Sequence, residues 1–205
     1  VTVTANSKKE TYDGGEKSVS GFQGETGQGV PVVANGITYY VTGLASEASG
    51  TNTWESVAEI EVKGLEGMKV VDADGTDVTA QFDVTVVPGS LTIDKATVTL
   101  RSADLTKPWD GTPLANGTTP LETESGWAAG QGATYEFTGS RTDVGTSEGG
   151  NTFEYTLNEG TDANNYNIKA EFGDITITDR GEEAAYDVTV TANSKKETYD
   201  GGEKS

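Results

Sequence analysis

The chain contains no cysteine and no histidine. The first absence removes disulfides, thiolate nucleophiles and cysteine-type zinc sites. The second removes the commonest general base, so no serine or threonine has a histidine to activate it. The chain therefore reads as a non-enzyme with no catalytic residues and no cofactor. Positive charge is scarce: 14 Lys and Arg stand against 33 Asp and Glu, for a net charge of −19. Such a field repels nucleic acid and anionic lipid, and neither is expected as a partner. No apolar run approaches eighteen residues, so no membrane insertion is expected. No signal peptide is visible either, and the first residues read as a strand, as in a piece cut from a longer protein.

What is present is glycine, at 27 residues, with abundant threonine and only 33% hydrophobic residues. That mixture predicts many short strands joined by turns rather than helices with broad apolar faces. VTVT, ITYYVT, SVAEIEVKG, FDVTVV, SLTID, ATVTL, YEFTG, FEYTL and DITIT carry β-branched or aromatic residues in partial alternation. VPVVANGITYYVTG reads as a hairpin turning on Asn35-Gly36, and Asn116-Gly117 is a second turn signal. WESVAEI has room for one short helical turn. The predicted class is all-β.

The chain repeats itself at two scales. VTVTANSKKETYDGGEKS, residues 1–18, recurs letter for letter as residues 188–205, an offset of 187 positions. Tandem duplication of a long unit accounts for this, and a period so far above 50 residues implies complete domains in each unit. Inside the unit a weaker repeat aligns Tyr12-Asp13-Gly14 with Trp109-Asp110-Gly111. It also aligns residues 42–53 with 138–152, and residues 75–94 with 160–179. The predicted organisation is a first β domain over 1–95, a second over 96–179, a linker over 180–187, and the start of the next unit over 188–205. The first copy carries about fifteen extra residues around GLEGMKVVDADG, expected at a hairpin or loop. Only Lys95 or so separates the two copies, whereas a charged stretch separates the units, which predicts a stiff joint within the unit and a looser one between units. The terminal duplicate is an orphan strand, so Val188 to Asn193 is expected to pair with a sheet edge of its own chain or to exchange with a neighbouring copy.

The succession VTVTA, YDG, TG, DVGT, NT, NYNI and G-ITIT resembles the YDG/MBG-type repeat domains of bacterial surface adhesins. The second copy carries the fuller pattern, with WDG, SRTDVGTS, NNYNI and GDITIT; the first has ASEASGTN and QFDV at the matching places. The resemblance implies an architectural repeat with an Ig-like β-sandwich, or alternatively a mucin-binding-type β-grasp fold. It implies an extracellular stalk or spacer on a Gram-positive cell wall, projecting a distal binding region. The partners would be neighbouring repeats of the same chain. Two other readings stay open: a module binding host glycans or mucin multivalently, and an accessory domain of a secreted enzyme. Tyr12, Trp109, Phe82 and Tyr166 read as core aromatics, and Asp13-Gly14 and Asp110-Gly111 as turns.

Four constellations are candidates for chemistry. Asp72, Asp74 and Asp77 alternate around Gly75 like the opening of a calcium loop and are the candidate Ca2+ ligands, although the twelfth position is Asp83 rather than Glu. Glu59 with Glu61, and Glu122 with Glu124, are paired carboxylates of the kind used in glycoside hydrolysis. Lys95, Lys63 or Lys169 with Asn151 or Asn165 would suit a self-formed amide cross-link. Tyr39, Tyr40, Trp54, Trp109, Trp127 and Tyr135 would make a sugar-stacking platform if exposed together.

Overall fold

The computed structural model describes residues 1–181, 185–199 and 201–202. Within these the chain is all-β, as predicted, with small sheets of two or three strands and four single turns of 3-10 helix. Residues 1–95 carry ten strands: β1 (Thr2–Thr4), β2 (Lys8–Thr11), β3 (Lys17–Ser20), β4 (Val30–Ala34), β5 (Ile37–Thr42), β6 (Ala45–Gly50), β7 (Val62–Lys63), β8 (Lys69–Val71), β9 (Thr85–Val87) and β10 (Leu91–Asp94). Residues 96–179 carry ten more: β11 (Ala96–Arg101), β12 (Leu105–Pro108), β13 (Leu114–Ala115), β14 (Thr123–Ser125), β15 (Ala133–Phe137), β16 (Ser140–Arg141), β17 (Gly145–Ser147), β18 (Phe153–Leu157), β19 (Tyr166–Glu171) and β20 (Ile175–Thr178).

The same backbone plan occurs twice. In the first copy β1 runs parallel to β9 and β2 parallel to β10, so the opening and closing strands lie side by side. In the second copy β11 pairs parallel with β19 and β12 with β20. Each ladder breaks at one point, and a glycine sits at each break. A Cβ on Gly89 would lie 2.0 Å from the Asn6 carbonyl oxygen, and one on Gly173 would lie 2.3 Å from that of Ala103. Only a residue without Cβ lets the two chains approach so closely. A third segment crosses there in both copies: Ile60 donates its N–H to Gly89 O at 2.8 Å, and Asn151 donates to Gly173 O at 2.9 Å. The two halves thus match in register and in their crossing segments, well beyond their resemblance in letters.

The Asn35-Gly36 turn is confirmed. Asn35 has φ 51° and Gly36 φ 76°, the paired left-handed conformation of a tight hairpin, and β4 and β5 pair antiparallel across it. Asn116-Gly117 makes no hairpin: β13 pairs with β16 and β14 with β11, so its flanks part company. SVAEIEVKG forms only β7, with Val57 making an isolated bridge to Leu91. The extra length around GLEGMKVVDADG is not all loop, because it includes β8, which pairs with β5. The helical turn in WESVAEI is present as a 3-10 turn over Thr53–Glu55.

Two apolar clusters hold the chain. One lies wholly in the first copy and centres on Val3, Ala5, Phe22, Val41 and Val70, with Phe82 half-buried against it. The other draws Tyr12, Leu91 and Ile93 from the first copy and Val98, Leu100, Phe153 and Tyr166 from the second. Each such side chain contributes about 1.5–3 kcal/mol when fully buried. The boundary at residue 95 therefore runs through the middle of a core.

Candidate functional site: the joint between the two copies

The joint is built from residues that the strands deliver to facing ends. β2 ends at Thr11, and Tyr12 continues the ladder by donating its N–H to Asp94 O at 2.8 Å. This fixes the Tyr12 ring where the first copy meets the second. On the other side the 3-10 turn Ala163–Asn165 hands the chain to β19, whose first residue is Tyr166. The two rings meet edge to face, 5.3 Å apart at their centres and 87° between planes, with Trp127 a further 4.9 Å neighbour of Tyr166. Such aromatic pairs add about 0.5–1.5 kcal/mol beyond area burial.

One glutamine joins the two hydroxyls. Gln131 donates from Nε2 to Tyr12 Oη at 2.7 Å, and its Oε1 accepts from Tyr166 Oη at 2.5 Å. Tyr166 Oη in turn accepts from the Ala128 N–H at 3.1 Å. Burial raises the Tyr166 phenol above its ordinary value, so it keeps the proton it donates. The polar tips of a largely buried ring pair are thereby satisfied, which removes the cost of desolvating them.

A second contact lies beside the first. Asn165 is 1% exposed; its Oδ1 accepts from the Thr53 N–H at 3.0 Å and its Nδ2 donates to Asn52 Oδ1 at 2.8 Å. Thr53 Oγ1 donates to Asn164 O at 3.0 Å. Glu55 pre-shapes this loop, because its Oε2 accepts from the backbone N–H groups of Asn52 at 2.6 Å and Thr51 at 2.8 Å. Those backbone bonds hold the Glu55 carboxyl below its usual range. An apolar pair and an amide network together fix two faces of one joint, and only Lys95 lies between β10 and β11. The arrangement fixes the orientation of one copy against the other.

The other predicted site residues are held by contacts of their own. Asp72 Oδ1 accepts from the N–H groups of Asp74 at 3.0 Å and Thr76 at 2.8 Å, closing its own turn. Asp77 Oδ1 accepts from Thr79 N at 3.0 Å and Thr79 Oγ1 at 2.6 Å, while Oδ2 pairs with Lys69 at 3.3 Å. Among the described residues no three acidic side chains converge to hold a metal ion. Glu122 accepts from Arg101 Nε at 2.6 Å, and Glu124 accepts from Tyr135 Oη and Trp127 Nε1 at 2.6 and 3.1 Å, so this pair serves separate contacts. Asn151 donates from Nδ2 to Ala103 O at 2.8 Å and Asn165 is held in the joint, while Lys63, Lys95 and Lys169 are exposed. Trp54 is exposed, Trp109 is 36% exposed, and Trp127 and Tyr135 pack on the shared core, so the six aromatics form no common platform.

The terminal duplicate departs from the expectation of pairing within its own chain. Residues 188–193 form no strand with their own chain. Val3 is 1% exposed, whereas its duplicate Val190 is 88% exposed; Tyr12 is 5% exposed and its duplicate Tyr199 88%. The reason is the parallel ladder: the natural partner of the opening strand is a closing strand some eighty residues further on, and the first copy's own β9 is already paired with β1.

Sequence reasoning placed Tyr12 and Tyr166 in cores but did not bring them together, and it missed Gln131 and Asn52 altogether. The available signal was the landmark pattern itself, since the YDG aromatic of one copy meets the NYNI aromatic of the next. No family model, curated protein or solved structure matches this chain.

Proposed function

We propose that residues 1–179 are one structural unit of a tandem stalk in a bacterial cell-surface adhesin or fibrillar protein, extracellular and wall-attached, that carries a distal binding region away from the cell. The observation that supports this reading is the parallel pairing of opening and closing strands in both copies. Tension enters a copy at the start of its first strand and leaves at the end of its last. Because these strands are parallel neighbours, opposite pulls slide one along the other and load every ladder hydrogen bond together. The pull then passes through the single residue Lys95 into β11. A chain with this force path resists stretching, which is what a projecting stalk requires.

Single-molecule pulling on a tandem array tests the mechanics. The expected trace has discrete, high-force rupture events, and the two copies of a unit yield close together because they share a core. Smooth extension at low force would sink the proposal. So would small-angle scattering from a two-unit chain that reported a compact particle rather than an elongated one.

A further inference from the structure

The chain carries counterparts of both halves of its inner joint on its outer faces. At the second copy's far end, Trp109 follows β12 and donates its N–H to Thr178 O at 2.8 Å, the bond Tyr12 makes to Asp94. Val144 lies between β16 and β17, in the connection that in the first copy holds Thr53. Trp109 and Val144 are 36% and 45% exposed and line, together with linker residues that include Arg180 and Tyr186, an open groove of about 480 Å³. At the first copy's near end, Phe82 follows the 3-10 turn Thr79–Gln81 and leads into β9, as Tyr166 follows Ala163–Asn165 and begins β19. Phe82 lines a second groove of about 500 Å³ with Tyr39, Val78, Gln81 and Asp83. The Tyr39 ring stands 4.8 Å from Phe82, much as Trp127 stands 4.9 Å from Tyr166.

We propose that the Trp109 end of one unit docks onto the Phe82 end of a second copy, head to tail, repeating between units the contact that Tyr12 and Tyr166 make within one. This rests on the tandem reading above and names the surfaces it uses. The linker already begins the contact. Counting back from Val188, the duplicate of Val1, Tyr186 holds the position that Ala96 holds at the inner joint. Its ring stands edge to face with Trp109 at 6.3 Å, with the Arg180 guanidinium 4.2 Å over it. Seven residues, 179–185, replace the single Lys95, so the outer joint has the same faces on a longer tether. The contact is heterologous, so it does not close on itself and propagates as an open row. In an array the tether supplies an effective concentration near the millimolar range, and a weak face suffices.

Sedimentation velocity on the 205-residue chain, from about 10 μM to about 1 mM, tests this. Salt of about 0.5 M screens the repulsion between acidic copies. The expected mass rises with concentration and does not stop at a dimer. Val144→Lys spoils one end and Gln81→Lys the other, and each variant alone is expected to associate at least about tenfold more weakly. Mixed together, they retain one intact pair of faces and are expected to form a one-to-one complex that grows no further. A chain that stays monomeric throughout, a wild-type dimer that saturates, or a mixture of variants that does not pair would overturn the proposal. A monomeric result leaves the stalk reading standing, because units on a free tether still extend; a compact two-unit particle counts against the stalk and not against the docking.

Discussion

Tyr12 and Tyr166 stand edge to face across the boundary between the two copies, with one Gln131 side chain bonded to both hydroxyls. They are 154 positions apart, yet each occupies a landmark that recurs in the other copy. The pair ties the orientation of one copy to the core of the other.

Removing the Tyr12 ring should therefore cost far more than a surface change. Tyr12→Ala is expected to destabilise the chain by about 3–5 kcal/mol, as large aromatic truncations in a core do. Tyr12→Phe keeps the ring and loses the bond from Gln131, for about 1 kcal/mol. Urea unfolding of the three proteins checks both figures, and equal losses for Ala and Phe would contradict the packing argument.

The ladder breaks at Gly89 and Gly173 offer a second test. A methyl group at either place meets a backbone oxygen at 2.0 or 2.3 Å, and backbone has little room to yield. Gly89→Ala and Gly173→Ala should each cost about 1–3 kcal/mol or more through overpacking. Gly27→Ala, where nothing lies within 4 Å, is the control and should be near neutral. Thermal unfolding midpoints rank the three.

How far the sequence discloses this fold depends on which force holds each strand. The β4–β5 hairpin is legible because Asn35-Gly36 is a turn signal and Val30 and Val32 alternate inward. Lys8–Thr11 and Ala45–Gly50 are polar, and nothing in their letters marks a strand; they are held by backbone pairing to β10 and β3, which only the folded chain supplies. Trp109 reads as a core aromatic and is 36% exposed: its ring meets Tyr186 in the linker, whereas its counterpart Tyr12 is buried in the shared core. The joint is illegible for a related reason: residues 154 apart show no periodicity, and the pairing emerges only once both copies have closed their ladders.

Acid should weaken the YDG turn at Asp13 and its WDG counterpart at Asp110. Asp13 is held below its usual range chiefly by Lys17 and then by the Gly15 N–H, and Asp110 well below it by Lys107 and then by Thr112. A carboxylate whose folded value is depressed stabilises the fold above the unfolded value, about 3.9. That contribution disappears as pH falls through the folded values. An Asp13→Asn, Asp110→Asn double variant should melt below the wild type at pH 7, and the gap should narrow as pH falls from about 4 toward 2. A gap that stayed constant across that range would remove these ion pairs from the account.

The acidic turn at Asp72 gives a different expectation for calcium. Its carboxylates already accept from backbone N–H groups and from Thr79, and one pairs with Lys69. Asp77→Ala should lower the melting midpoint equally in excess chelator and in millimolar calcium. A calcium-dependent rise in the wild type, absent from the variant, would instead restore Asp72, Asp74 and Asp77 as ligands.

The opening strand and its duplicate also set a problem of fidelity during folding. Thr2 reaches its partner Thr85 across 83 positions, and Thr189, the same residue in the duplicate, lies 104 positions beyond Thr85. Loop closure alone separates these two searches by about 0.2 kcal/mol. The ladder of β9 thus has two competing applicants with identical side chains and nearly equal access, and every added unit brings another. What distinguishes the rightful strand is its place: the chain runs from it through β3 to β8 and on to β9, so the core forms between the two partners, whereas the duplicate lies beyond the whole second copy. Chain order of synthesis reinforces this, since the first applicant is made before β9 and the second after it.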